Sequence, residues 1–208
     1  MRRKFMSMAL TAAMVVSMAA TPVFAEDTAS DEGFNLNLCI ASEPQTIDPA
    51  LNSAVDGAIM CNHMFEGLVK WVNDGEGNAV TAPGQAESWE KTENEDGTVT
   101  YTVKLRDGIK WSDGQAVTAG DFVYAWQRLA NPETAADYCY MIDMVKGYDT
   151  VADGSADPST LGITAVDDQT LQIDLTYDCP YFEEIMAFPA TFPVRQDMVE
   201  SSDNWTFD

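Results

Sequence analysis

Between residues 86 and 132 the spacing of apolar side chains changes from two to 3.6, and that change confines the chain to a mixed α/β unit. Val99, Tyr101, Val103 and Leu105 alternate with Thr98, Thr100, Thr102 and Lys104, the pattern of a strand with one buried and one wetted face. Asn94-Glu95-Asp96-Gly97 before it carries the Asp-Gly pair that hairpins favour. Asp107-Gly108 and Asp113-Gly114 punctuate a short apolar step from Ile109 to Trp111. After Thr118 the period lengthens: Phe122, Val123, Trp126 and Leu129 share one helical face, and Thr118 and Asp121 are spaced as a capping box. Asn131-Pro132 stops that helix. The stretch reads as hairpin, turn, capped helix.

Residues 1–25 read as an export signal. Arg2-Arg3-Lys4 precede an apolar run, and Val23-Phe24-Ala25 places small residues for cleavage before Glu26. The run is short for a membrane span. The first cysteine, Cys39, lies well downstream of it, so no lipid-anchor motif follows. The formal charge is −23, and loss of the leader leaves 8 basic against 34 acidic residues. Such a surface repels phosphate backbones and excludes nucleic acid as a partner. Four cysteines (Cys39, Cys61, Cys139, Cys179) allow two disulfides in three connectivities, or four packed small hydrophobes. Their spacing is not that of a zinc site.

Further along, residues 26–33 are polar and acidic and read as a disordered lead-in, and residues 34–40 as a first strand. The two prolines of Ser42-Glu43-Pro44-Gln45-Thr46-Ile47-Asp48-Pro49 end that strand in an exposed loop. Residues 55–68 trace a helix through Ile59, His63 and Gly67. A short strand over 68–72, a turn over 73–77, and a helix over 134–148 holding Tyr138, Tyr140, Met141 and Met144 follow. Residues 163–166 and 171–176 form a second hairpin across Asp167-Asp168. Pro180 opens a helix from its first position, and Phe192-Pro193-Val194 leads on to Trp205-Thr206.

Residue identities carry the reading beyond periodicity. The run from Val103 to Arg128, VKLRDGIKWSDGQAVTAGDFVYAWQR, together with SEPQTIDP at 42–49, FEGL at 65–68 and PGQAESW at 83–89, closely resembles the extracellular solute-binding proteins of peptide ABC importers, family 5. The resemblance covers residues 34–205 and implies an α/β fold of the periplasmic-binding-protein-like type II class, large peptide-binding branch. This chain would supply the first lobe, with mixed sheets and packed helices, incomplete without a second lobe. Residues 34–65 would start the main lobe, 66–193 form a small inserted domain, and 194–208 return into the main lobe, truncated. Family members hold an extended peptide between two lobes and hand it to a permease and ATPase complex at the membrane. The implied setting is the periplasm or the outer face of the cell membrane, with a monomeric receptor. By alignment the implied ligand contacts are Asn52, Ser53, Ala54, Val55 and Tyr138, with Ser53 and Val55 contributing backbone. Trp111 and Trp126 match core positions instead.

Enzyme chemistry is poorly supplied. His63 is the one histidine of the chain and falls in an apolar helix pattern, as a structural residue. No nucleophile is spaced to join it, and no Gly-rich phosphate loop occurs. The expectation is a binding protein with no cofactor, no metal site and no catalytic residue. Dipeptides, nickel chelates, haem or oligosaccharides are alternative ligands of the same scaffold, and a stand-alone secreted interaction module is the alternative of a different class.

Overall fold

The computed structural model of the protein describes residues 37–40 and 42–206. The expected export signal, the acidic lead-in and residues 34–36 of the expected first strand lie outside the described residues. Contacts divide the chain into two units, Met1–Leu38 and Cys39–Asp208, and the second carries all the elements named below.

Helix α1 spans Val55–Met64. A two-stranded antiparallel ribbon follows, β1 (Val69–Asn73) with β2 (Ala79–Pro83). A four-stranded antiparallel sheet comes next, built from β3 (Ala86–Glu93), β4 (Val99–Leu105), β5 (Ile163–Asp167) and β6 (Thr170–Leu175) in the order β3-β4-β6-β5. Between β4 and β5 run α2 (Ala119–Ala130) and the short α3 (Tyr148–Ala152); α4 (Phe182–Ile185) and α5 (Gln196–Val199) end the series.

The two hairpins form as the alternation predicts. Val99, Tyr101, Val103 and Leu105 of β4 are all buried, and the first three pair with Leu175, Ile173 and Leu171 of the alternating strand β6. Helix α2 covers the sheet on β5 and β6 and buries Phe122, Trp126 and Leu129. Its start is capped as expected, the Thr118 backbone N–H donating to Asp121 Oδ2 at 2.8 Å. Trp126 meets Phe182 edge-on at 6.2 Å, and Phe182 lies 4.7 Å from Tyr101, so one aromatic chain joins helix, sheet and α4. Trp111 differs from the core expectation: it is half-buried at the core's edge.

Five other expectations are corrected. Residues 37–40, the described part of the expected first strand, belong to no strand. Helix α1 stops at Met64, short of Gly67 and Leu68. Gly57 and Cys61 are its buried residues, while Val55, Ile59 and Met64 are exposed. The loop through Asp48 is not exposed at its end, where Asp48, Pro49 and Ala50 are buried. Residues 134–148 do not form one helix but two 3-10 turns, Pro132–Thr134 and Cys139–Ile142. Ala135 and Gly147 take left-handed conformations (φ 53° and 84°), which an α-helix cannot absorb. The backbone is drawn instead to the edge of β6, Lys146 N–H donating to the Asp174 carbonyl at 2.8 Å and Thr176 N–H to that of Met144 at 2.9 Å. Finally, α4 begins at Phe182 with Tyr181 as its cap, leaving Pro180 outside it. The pairing of β2 with β1 was not foreseen; AVTAP has too little alternation to announce a strand.

The buried Asp48 carboxylate is the main polar fixture. Arg128 grips it with two hydrogen bonds, Nη1 to Oδ1 at 2.9 Å and Nη2 to Oδ2 at 2.6 Å. Trp205 Nε1 donates to Oδ2 at 3.1 Å and the Ala50 N–H to Oδ1 at 3.0 Å. Three segments far apart in sequence are thereby held at one point. Among the described residues no helix is long and apolar enough to cross a membrane.

Candidate ligand groove

The segment leading into α1 is shaped by its own polar side chains. The Asp48 carbonyl accepts from the N–H groups of Leu51 and Asn52, turning the chain after Pro49. Asn52 then clasps Ala54 from both sides, Nδ2 donating to its carbonyl at 3.1 Å and Oδ1 accepting from its N–H at 3.3 Å. Ala54 is extended, with φ −110° and ψ 151°. With Ala54 engaged, the N–H groups of Ser53 and Val55 and the Ser53 carbonyl make no hydrogen bond among the described residues. A short edge of free backbone groups is left on alternate residues.

Gly57 makes the clasp possible. A Cβ there would stand 2.0 Å from Asn52 Oδ1 and 2.7 Å from the Thr46 carbonyl. Gly57→Ala is therefore expected to expel the Asn52 side chain and destabilise the protein by about 1–3 kcal/mol. In a double-mutant cycle with Asn52→Ala the two losses should be less than additive, as read by urea unfolding.

The opposite wall comes from the turn after α4. Trp126 Nε1 donates to the Thr191 carbonyl at 2.9 Å, and Thr191 Oγ1 bonds the carbonyls of Ile185 at 3.0 Å and Phe188 at 2.8 Å. This holds Phe188 against Tyr138, ring centroids 5.3 Å apart and 81° between planes. Tyr138 is half-buried, and its hydroxyl makes no hydrogen bond among the described residues, so a polar tip remains free above an apolar body.

Between the two walls lies a cavity of about 300 Å³ lined by residues 52–55, Trp71, Tyr138 and residues 187–190, among others. All five residues expected to contact ligand (Asn52, Ser53, Ala54, Val55 and Tyr138) line this one cavity. Asn52 is buried and its amide is spent on Ala54, which makes it a positioning residue. Trp71 and Phe188 line the same cavity and were not among the expected residues. Nothing in the sequence marks either residue; Trp71 stands out only once the structure shows it 50% exposed on a five-residue strand.

No residue lining the cavity is charged. Asp56 lies beside it on α1, its carboxyl held below the usual range by the hydrogen bond from Ser42 Oγ and then by that from the Gly57 N–H. His63 lies outside the cavity and is exposed, with Nδ1 2.7 Å from the Ile59 carbonyl; since a carbonyl only accepts, Nδ1 carries the proton. All four cysteines are free, with Cys61 and Cys179 buried. Burial, and then the charge of Asp48, push the Cys61 thiol up to about 11. Cys61 should accordingly resist thiol reagents at neutral pH in the folded protein and react on denaturation, a contrast that mass spectrometry of labelled peptides reads directly.

Residues 81–208 match the family model of bacterial extracellular solute-binding proteins, family 5, middle part. The chain is 39% identical to the periplasmic murein peptide-binding protein MppA of Escherichia coli over 80% of its own length and 30% of that protein's. To the probable deoxycholate-binding periplasmic protein YgiS of E. coli it is 36% identical, over 93% of this chain and 36% of the relative. Its fold is similar to that of Haemophilus influenzae OppA in complex with RPPGFSPFR, with a TM-score of 0.72 and 38% identity over 80% of this chain and 32% of that one. The chain thus spans about a third of the length of the relatives it matches. On these matches it belongs to the bacterial extracellular solute-binding proteins of family 5.

Proposed function

We propose that this chain is part of the exported solute-binding component of an ABC importer, which captures oligopeptides between two lobes and delivers them to a membrane permease and its ATPase. The observation that carries this reading is the free backbone edge at Ser53 and Val55 on the wall of a cavity shared with Tyr138. An extended peptide presents the same alternating donors and acceptors whatever its sequence. An unpaired strand-like edge can take it up by β-augmentation. Residues 34–65 and 194–208 belong in this reading to the main lobe and residues 66–193 to a smaller domain, with the Asp48 carboxylate joining all three portions. Closure of the lobes by a hinge motion would bury the peptide and present a closed, monomeric receptor to the permease at the outer side of the membrane.

The test uses the protein encoded by the whole reading frame and peptides N-methylated at single backbone positions. Blocking an amide that pairs with the Ser53 carbonyl should weaken binding about tenfold, roughly the net worth of one hydrogen bond. Uniform affinity across all N-methylated positions would contradict main-chain pairing. A second reading, an amphiphilic non-peptide ligand on the same scaffold, draws on the likeness to YgiS and on the uncharged cavity lining.

A further inference from the structure

The cavity is chemically unlike the rest of the molecule. The chain carries a formal charge of −23, yet every residue lining this space is neutral, and three of them are aromatic: Trp71, Tyr138 and Phe188. Tyr138 and Phe188 already meet edge-to-face at 5.3 Å, and Tyr140 continues the run 6.1 Å from Tyr138. Trp71 is 50% exposed on β1, with a free face beside the same space. We propose that Trp71, Tyr138 and Phe188 form a side-chain pocket that selects an uncharged aromatic residue of the bound peptide. The proposal rests on the peptide-receptor reading above.

Three physical terms set the selection. A main chain paired along Ser53 and Val55 sends alternate side chains to opposite faces, so one of them meets this wall. A lysine there would lose water and find no carboxylate in the lining; the nearby Asp56 is already engaged by Ser42 and Gly57. A glutamate would lose water too and enter the field of a strongly acidic protein. A phenylalanine or tryptophan loses little on leaving water and gains offset or edge contacts with three rings. Aromatic anchors in dry pockets are where binding energy concentrates.

The experiment is calorimetric titration of the complete protein with a polyalanine host peptide carrying Phe, Leu, Ala, Lys or Glu at each position in turn. At one position Phe should bind about tenfold more tightly than Ala, and Lys and Glu more weakly than Ala. Trp71→Ala should bring the Phe-to-Ala ratio at that position to about twofold or less. Trp71→Glu should raise the rank of the Lys peptide above that of the Phe peptide. Since Trp71 is half exposed, neither change threatens the fold, and circular dichroism checks this. Peptides that bind with no positional preference, or a preference untouched in Trp71→Ala, would overturn the pocket while leaving the receptor reading intact. Failure of every peptide to bind would overturn both.

Discussion

Trp126→Ala is expected to destabilise the protein by about 3–5 kcal/mol, the range for truncating a large aromatic inside a packed core. Trp126 is 0% exposed, touches Phe182 edge-on and donates to the Thr191 carbonyl. Trp126→Phe keeps most of the volume but leaves that buried carbonyl unpaired, at a cost of about 1–3 kcal/mol. The expected order is therefore wild type, then Phe, then Ala, read as the midpoint of urea unfolding. The effect should reach the groove as well. The Thr191 turn holds Phe188 against Tyr138, so ligand affinity should fall in both variants. A loss below about 1 kcal/mol for Trp126→Ala would mean that α2 does not anchor this wall.

Asp48→Ala carries a loss of similar size, about 3–5 kcal/mol, for a different reason. Asp48 is 2% exposed and the Arg128 side chain 15%. Removing the carboxylate strands a guanidinium inside the protein and deprives Trp205 Nε1 and the Ala50 N–H of their acceptor. The attraction within the pair is not the cause of this loss, because desolvation consumes much of it. Replacing both partners together, Asp48→Leu with Arg128→Met, should therefore restore a large share of the stability lost in Asp48→Ala. A double variant as unstable as the single one would show that the hydrogen bonds to Trp205 and Ala50, not the uncompensated charge, dominate.

These two sites differ in how far the sequence discloses them. Trp126 was legible because Phe122, Trp126 and Leu129 repeat at helical spacing and Thr118 and Asp121 mark the start. The β4 and β6 strands were legible for the same local reason, strict alternation between turn residues. Asp48 was not. Its burial depends on Arg128 and Trp205, 80 and 157 residues away, and an Asp-Pro pair by itself reads as a surface turn. Residues 134–148 were misread for a related reason. Their apolar spacing suits a helix, but the hydrogen bonds from Lys146 N–H to the Asp174 carbonyl and from Thr176 N–H to the Met144 carbonyl decide the backbone, with Gly147 the one local warning. In α1 the large apolar residues Val55, Ile59 and Met64 are exposed. Gly57 packs inward because the Asn52 clasp demands a close approach, and Cys61 packs inward with its thiol 3.4 Å from the Ile47 carbonyl.

The groove was half legible. Family resemblance placed residues 52–55 and Tyr138, and the structure brings them to one cavity. The aromatic partners Trp71 and Phe188 come from β1 and from the turn after α4, elements whose meeting no periodicity encodes.

The most direct test of the receptor reading is thermal unfolding of the complete protein with mixed peptides of two to eight residues, set beside deoxycholate, nickel chelates, haem and oligosaccharides. A ligand that binds only the native state adds RT ln(1 + [L]/Kd) of stability, about 2.7 kcal/mol at a hundred times Kd. A rise in melting temperature with peptides, and none with the other ligands, is the result predicted here. A rise with one of the non-peptide ligands and none with any peptide would contradict the proposal and assign this scaffold a different cargo.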